Sequence, residues 1–324
     1  MPDFALNVSE FYMKKPTLFV IGILVLAFIS IYFIIPQKIK TTNVIEIDAA
    51  DVNIAKFLVN KRQWNKWWPG QHNTADSIHF SYNSADYVLQ ESTNSQMKAL
   101  IKIDNIELNS NLVYATTGEG MCEVAWLTEM QSSINPIERI AEFVKIKRHA
   151  KTIDTILTRF KKFMQTDTNV YGMAIKISHI KNPIVLATTT HLNKYPAPET
   201  IYSLANSLRK QIKAQDALQL DSPMMNVHPD ENGGYQVMVA IPINKIIKPG
   251  NGMVLNKLVK NANVLEAEVK GGKNTILNAF TQLKHYQKDH RLISPAMPYE
   301  LLTTNRLAEK DTAKWVTKLF WPIF

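Results

Sequence analysis

Side chains that could move protons, hold metals or attack bonds are thinly spread in this chain. Its eight histidines are scattered, and His285 and His290 stand five apart, so they do not share one helical face. A single cysteine, Cys122, excludes an internal disulfide and any zinc site built from cysteine pairs. H-E-x-x-H, an Asp-rich calcium loop, the G-x-S-x-G elbow, G-x-G-x-x-G and the P-loop are all absent. What remains for acid–base work is His79 and Glu91 on strand-like runs; Glu266 and Glu268, alternating on another, are weaker candidates for a ligand-facing carboxylate. No metal or cofactor is expected and no catalytic residue is assigned.

The elements that would position a site follow from composition and periodicity. The chain has 324 residues, 46% hydrophobic and 20% charged, with net charge +9, which fits about two globular domains and excludes disorder or a coiled coil as the overall class. Thr17 to Ile35 carries no charged side chain. At about 1.5 Å per residue it nearly matches a hydrocarbon core roughly 30 Å thick. It is read as a single transmembrane helix after a tail at residues 1–16, with a bacterial inner membrane as the location, the bilayer as a partner and the body outside the cytoplasm. The start is Met1 or Met13.

Residues 42–165 read as one unit. A strand over Asn43–Ala49 and a short helix over Asp51–Asn60 precede strand-like runs at 77–82, 86–91, 97–104, 108–117 and 122–130, in the manner of an antiparallel meander. A long helix follows, with Asn135 as cap, Pro136 at its first position and Glu138 where a capping box wants it. Ile137, Ile140, Ala141 and Val144 begin its apolar stripe, and Ile153, Ile156, Leu157, Phe160 and Met164 continue it. The opening VIEIDAADVNIAKFLVNKRQWNKWWPG and the closing EVAWLTEM…NPIERIAEFVKIK…LTRFKKFM resemble the START-like (SRPBCC) superfamily. That resemblance implies a helix-grip fold around a cavity, with Trp67 and Trp68 of the tryptophan-rich loop either lining its mouth or packing as core.

Residues 170–324 contain a repeat of strand, helix, strand, strand. The first copy places strands at 183–190, just after Ser222–Met225, and at 235–243, around a helix at 198–215. The second places them at 264–269, 299–304 and 314–324, around a helix at 273–290. Ser-Pro-x-Met follows each helix, at Ser222–Met225 and Ser294–Met297, and each last strand ends with a proline, Pro242 or Pro322. This order, with PYELLTTN and the closing KWVTKLFWPIF, resembles the GyrI-like effector-binding domain. The overall expectation is therefore α+β: a transmembrane helix, a START-like domain and a duplicated βαββ domain.

The GyrI-like resemblance implies a groove for a small hydrophobic or cationic ligand, with Glu300 facing it among Tyr202, Tyr235, Tyr299 and Trp315. Alternation sets Glu300 and Leu302 on one strand face and Tyr299 and Leu301 on the other. Two positions depart from the family: Leu302 stands where many relatives carry tyrosine, and Lys318 where some carry an acid. The first weakens a hydrolytic role, and the second shifts preference away from cations. The reading is a non-catalytic, membrane-tethered small-molecule-binding protein with no direct nucleic-acid contact. A hydrolase- or cyclase-like enzyme, and a transcription-linked sensor or scaffold, are the alternatives.

Overall fold

The computed structural model describes residues 15–72, 76–118, 120–231 and 233–324, with side chains from residue 19 onward. The expected tail falls almost wholly outside them, as do Met1, Met13 and the side chains of Thr17 and Leu18. The chain divides into two compact units, Met1–Lys162 and Phe163–Phe324.

The first unit opens with α1 (Lys15–Ile34), whose side chains from Phe19 to Ile34 are mostly exposed. Among the described residues no helix is long and apolar enough to cross a membrane. This overturns the expected transmembrane helix at Thr17–Ile35, and with it the inner-membrane location and the bilayer as partner. The far end of α1 is fastened to protein instead. Arg139 donates two hydrogen bonds to the Ile35 carbonyl, at 3.0 and 2.6 Å, and the Tyr32 hydroxyl donates to the Ile134 carbonyl at 2.7 Å.

Next come β1 (Lys38–Asp48), α2 (Asp51–Leu58), a 3-10 turn over Lys61–Lys66, and strands β2 (Gln71–His72), β3 (His79–Tyr82), β4 (Ala85–Ser92), β5 (Gln96–Ile103), β6 (Ile106–Gly118) and β7 (Met121–Gln131). They form one antiparallel sheet in the order β1-β7-β6-β5-β4-β3-β2. Its register is set by alternation, as in β5, where Met97, Ala99, Ile101 and Ile103 face the core. Asn83 and Ser84 supply the left-handed pair that a two-residue hairpin turn needs, with φ of 50° and 60°.

Helix α3 (Pro136–Met164) ends this part of the chain. Asn135 caps it by accepting from the Ile137 amide, whereas Glu138 takes the Ser133 hydroxyl. Its apolar stripe is buried from Ile146 through Ile153, Ile156, Leu157 and Phe160, while Ile137, Ile140 and Val144 near its start stay exposed. Asn43 and Asn83 tie α3 to the sheet through the Ala150 carbonyl, Asp154 and the Thr152 hydroxyl.

The second unit contains α4 (Asp167–Val170), β8 (Ile175–His179), β9 (Ile184–Leu192), α5 (Pro198–Ala214), β10 (Met224–Pro229), β11 (Tyr235–Pro242), β12 (Met253–Lys257), β13 (Asn263–Lys270), α6 (Lys273–Asp289), β14 (Tyr299–Leu301) and β15 (Val316–Pro322). Its eight-stranded sheet, β12-β9-β11-β10-β14-β15-β13-β8, is antiparallel throughout and duplicated about its centre. Val185 pairs with Pro242 in one half as Val264 pairs with Pro322 in the other. A proline is tolerated where a strand gives up its ladder. The halves meet where β10 joins β14, through the pairs Met224–Leu301 and Met225–Glu300.

Strands β8 and β12 extend the repeat at its edges. The two Ser-Pro-x-Met segments are not equivalent: Ser222–Met225 runs straight into β10, whereas Ser294–Met297 lies in a loop before β14. Helices α5 and α6 carry strong apolar stripes. Ile201, Tyr202, Ala205, Leu208 and Ile212 of the first, and Ile276, Ala279 and Leu283 of the second, are buried. Leu302 and Met225 belong to the α5 cluster, whereas Leu301, Met224 and Ala240 form a separate cluster with Tyr299 and Phe320 packed against it. The sheet thus has a helix-bearing face and a helix-free face.

Candidate functional site

Glu300 leaves β14 on the helix-bearing face, is 3% exposed, and is paired with Arg306, which is 5% exposed. The Arg306 guanidinium donates to Glu300 Oε2 at 2.7 Å and to the Thr317 hydroxyl at 3.0 Å, and lies 5.0 Å from the centre of the Trp315 ring. The Tyr202 hydroxyl accepts from the Arg306 amide and donates to the Thr304 carbonyl. Trp315 is fixed by its indole N–H, which donates to the Glu309 carbonyl, and it stands just before β15.

Tyr235 joins this group through Tyr195, an edge-on neighbour at 5.7 Å between ring centres, and Lys273 sits 4.0 Å over the Tyr195 ring. Burial raises the Tyr195 phenol well above its ordinary value; the Glu300 charge adds to this and Arg306 opposes it. Burial likewise pushes the Glu300 carboxyl up, against the pull of Arg306.

Three of the predicted site residues, Glu300, Trp315 and Tyr202, therefore gather around a cation that the chain itself provides, and Tyr235 stands one ring further out, against Tyr195. Arg306 gave no sign of this in the sequence, because it sits in a polar loop and its pairing is purely tertiary. Chemically, a buried carboxylate already neutralised by a guanidinium is a structural ion pair.

Trp67 and Trp68 lie in the first unit and are packed there. Both are nearly inaccessible; Trp68 stacks on Trp64, and the two rings meet Phe80, Phe160 and Tyr87 tilted or edge-on. Their indole N–H groups donate to the carbonyls of Phe57 and Ser81. His79 is exposed and paired with Asp76, and Glu91 is paired with Lys98 on the surface. Among the described residues no group of three or more His, Cys, Asp or Glu could hold a metal.

The helix-free face carries a different feature. A cavity of about 450 Å³ is lined by Val185, Met224, Met238, Ala240, Tyr299 and Pro322, with Leu258, Met297 and Phe324 also in its wall. The volume lies within the range of small-molecule sites, about 300–1,000 Å³. Asn226 spans its rim by donating to the Pro298 carbonyl at 2.7 Å, and Tyr299 stacks on Phe320 with ring centres 5.1 Å apart. Alternation allows this: Glu300 points to the helices while Tyr299 and Leu301, on either side of it, face the cavity's side of the sheet. The second Ser-Pro-x-Met segment forms part of the wall, through Pro295, Ala296 and Met297.

No family model matches the chain, and no curated protein matches it. Solved structures similar in fold include the C-terminal domain of EcmrR, with 14% identity over 47% of this chain and 98% of that one at a TM-score of 0.40. The EcmrR–DNA complex gives 16% identity over 59% and 72% at 0.42. SAV2435 bound to tetraphenylphosphonium gives 12% identity over 47% and 94% at 0.30.

Proposed function

We propose that the second unit is a receptor for an apolar small molecule, bound in the cavity beneath Tyr299 on the helix-free face of the sheet. The observation that carries this reading is the cavity itself, about 450 Å³ walled by methionine, valine, alanine and aromatic side chains. Burying an apolar ligand there gains roughly 25 cal/mol for each Å² removed from water, before the costs of binding. Methionine suits such a wall because its side chain adapts to the guest.

The ion pair on the other face argues against a free cation at Glu300, since Arg306 holds that place. One of the structural neighbours is described with tetraphenylphosphonium bound; here an uncharged body is the better fit. The START-like resemblance stays with the sequence of residues 42–165, and no role is assigned through it.

Titration of Nile red into the purified chain tests the reading. Saturable binding at one site per chain, with a blue-shifted emission, is the expected result. A linear, unsaturable response would remove the basis of the proposal.

A further inference from the structure

We propose that the ligand of this cavity is amphipathic, with an anionic head group beside Lys318 and its apolar body against Met224. This inference rests on the cavity being a binding site. A smaller hollow of about 130 Å³ adjoins the cavity and shares Ile180, Met224, Leu258 and Tyr299 with it. Its other walls are mixed, with the polar Ser178, Lys181, Asp221, Glu266 and Lys318 beside Pro242, Leu301 and Phe320. An oily chamber therefore opens onto a charged one, with Tyr299 at the boundary.

Two lysines, Lys181 and Lys318, line the hollow with two carboxylates, Asp221 and Glu266, and the positive excess comes from Lys176 and Lys257 beside it. Glu266 is 8% exposed and already compensated, with Lys176 at 3.2 Å and Lys318 at 3.5 Å. These neighbours hold its carboxyl below the usual range even though burial works the other way. Asp221 is then the one carboxylate of the hollow not held by a lysine among the described residues, against Lys181 there and Lys257 on the rim of the larger cavity, neither of them in an ion pair among the described residues.

The Tyr299 hydroxyl makes no hydrogen bond among the described residues. Burial, with the charges of Asp221 and Glu266, pushes it up to about 12, so it keeps its proton and can donate. A carboxylate between Lys318 and Tyr299 would accept two charge-assisted bonds, one from the ammonium and one from the phenol. The alkyl chain behind it would fill the apolar volume.

Calorimetric titration of the full chain with dodecanoate, dodecanol and dodecylammonium at pH 8 tests this. Dodecanoate is expected to bind about tenfold more tightly than dodecanol, the gain of one hydrogen bond to a charged group, and dodecylammonium more weakly than either. Lys318→Gln is expected to lower dodecanoate affinity about tenfold, to the level of the alcohol. Lys318 is partly exposed, so this variant keeps its fold. Equal affinities for the acid and the alcohol, tighter binding of the ammonium, or an unchanged dodecanoate affinity in Lys318→Gln would each overturn the anionic head group and leave the cavity reading standing. Failure of all three compounds to bind would overturn the cavity reading itself.

Discussion

Arg306 donates to the Glu300 carboxylate at 2.7 Å with both side chains almost wholly buried. A pair so placed contributes little net stability, because desolvating two charges offsets their attraction, yet removing one partner is costly. Arg306→Ala is therefore expected to destabilise the second unit by about 3–5 kcal/mol, the cost of an uncompensated buried charge. The double variant Glu300→Met with Arg306→Met should recover most of that loss. Urea denaturation of the three proteins checks it, and additive losses would show that the two groups act independently.

Tyr202 uses one hydroxyl twice, accepting from the Arg306 amide and donating to the Thr304 carbonyl. Tyr202→Phe leaves both backbone groups without that partner. A loss of about 1–3 kcal/mol is expected from the unmet buried groups, read as a lower melting temperature with unchanged Nile red affinity, since the cavity lies on the other face.

His149 is buried and lies 3.3 Å from the Tyr87 hydroxyl. Burial lowers its pKa to about 4, from 6.5. A basic group depressed on folding binds its proton in the unfolded chain first, so stability is full above pH 6.5 and is lost as pH falls toward 4. The slope is about 1.4 kcal/mol per pH unit and the total about 3 kcal/mol. The difference in urea midpoint between pH 7 and pH 4.5 should be smaller in His149→Gln than in the natural chain.

Gly70 closes the tryptophan-rich loop. A β-carbon there would lie 1.9 Å from the Ser81 carbonyl oxygen, the same oxygen that accepts from the Trp68 indole. Gly70→Ala should cost about 1–3 kcal/mol through forced displacement of packed backbone. Calorimetry of the first transition, together with a change in near-ultraviolet circular dichroism from Trp64, Trp67 and Trp68, reports it.

Met297 is exposed and forms part of the cavity wall. Met297→Trp is expected to narrow the opening and weaken Nile red binding about tenfold or more with an unchanged melting temperature. An unaltered affinity would place the dye elsewhere.

The sequence made the periodic elements legible. The alternation of Met97 to Ile103, the cap at Asn135 and the prolines closing β11 and β15 are local signals, and each holds. Strands β8 and β12 escaped because they are five-residue edge strands in which Ile177 and Val254 are exposed, so no alternation of buried residues marks them. The strand expected over 299–304 shrinks to Tyr299–Leu301, since the chain turns away to bring Arg306 back over Glu300. The transmembrane expectation came from hydropathy alone, which reads exposed and embedded apolar residues alike. The cavity was not legible because its walls come from distant segments, among them Val185, Ala240, Met297 and Phe324. Lys318, read only as a departure from a family pattern, turned out to face that side of the sheet.

The junction between the two halves of the second unit consists of two residue pairs, Met224–Leu301 and Met225–Glu300. Eight strands thus turn on a spine two rungs long, with the ion pair on one side of that spine and the hollow on the other. Filling the hollow would stiffen the spine, so amide hydrogen exchange at Met225 and Leu301 should slow when a guest is present, ahead of any change in the flanking ladders.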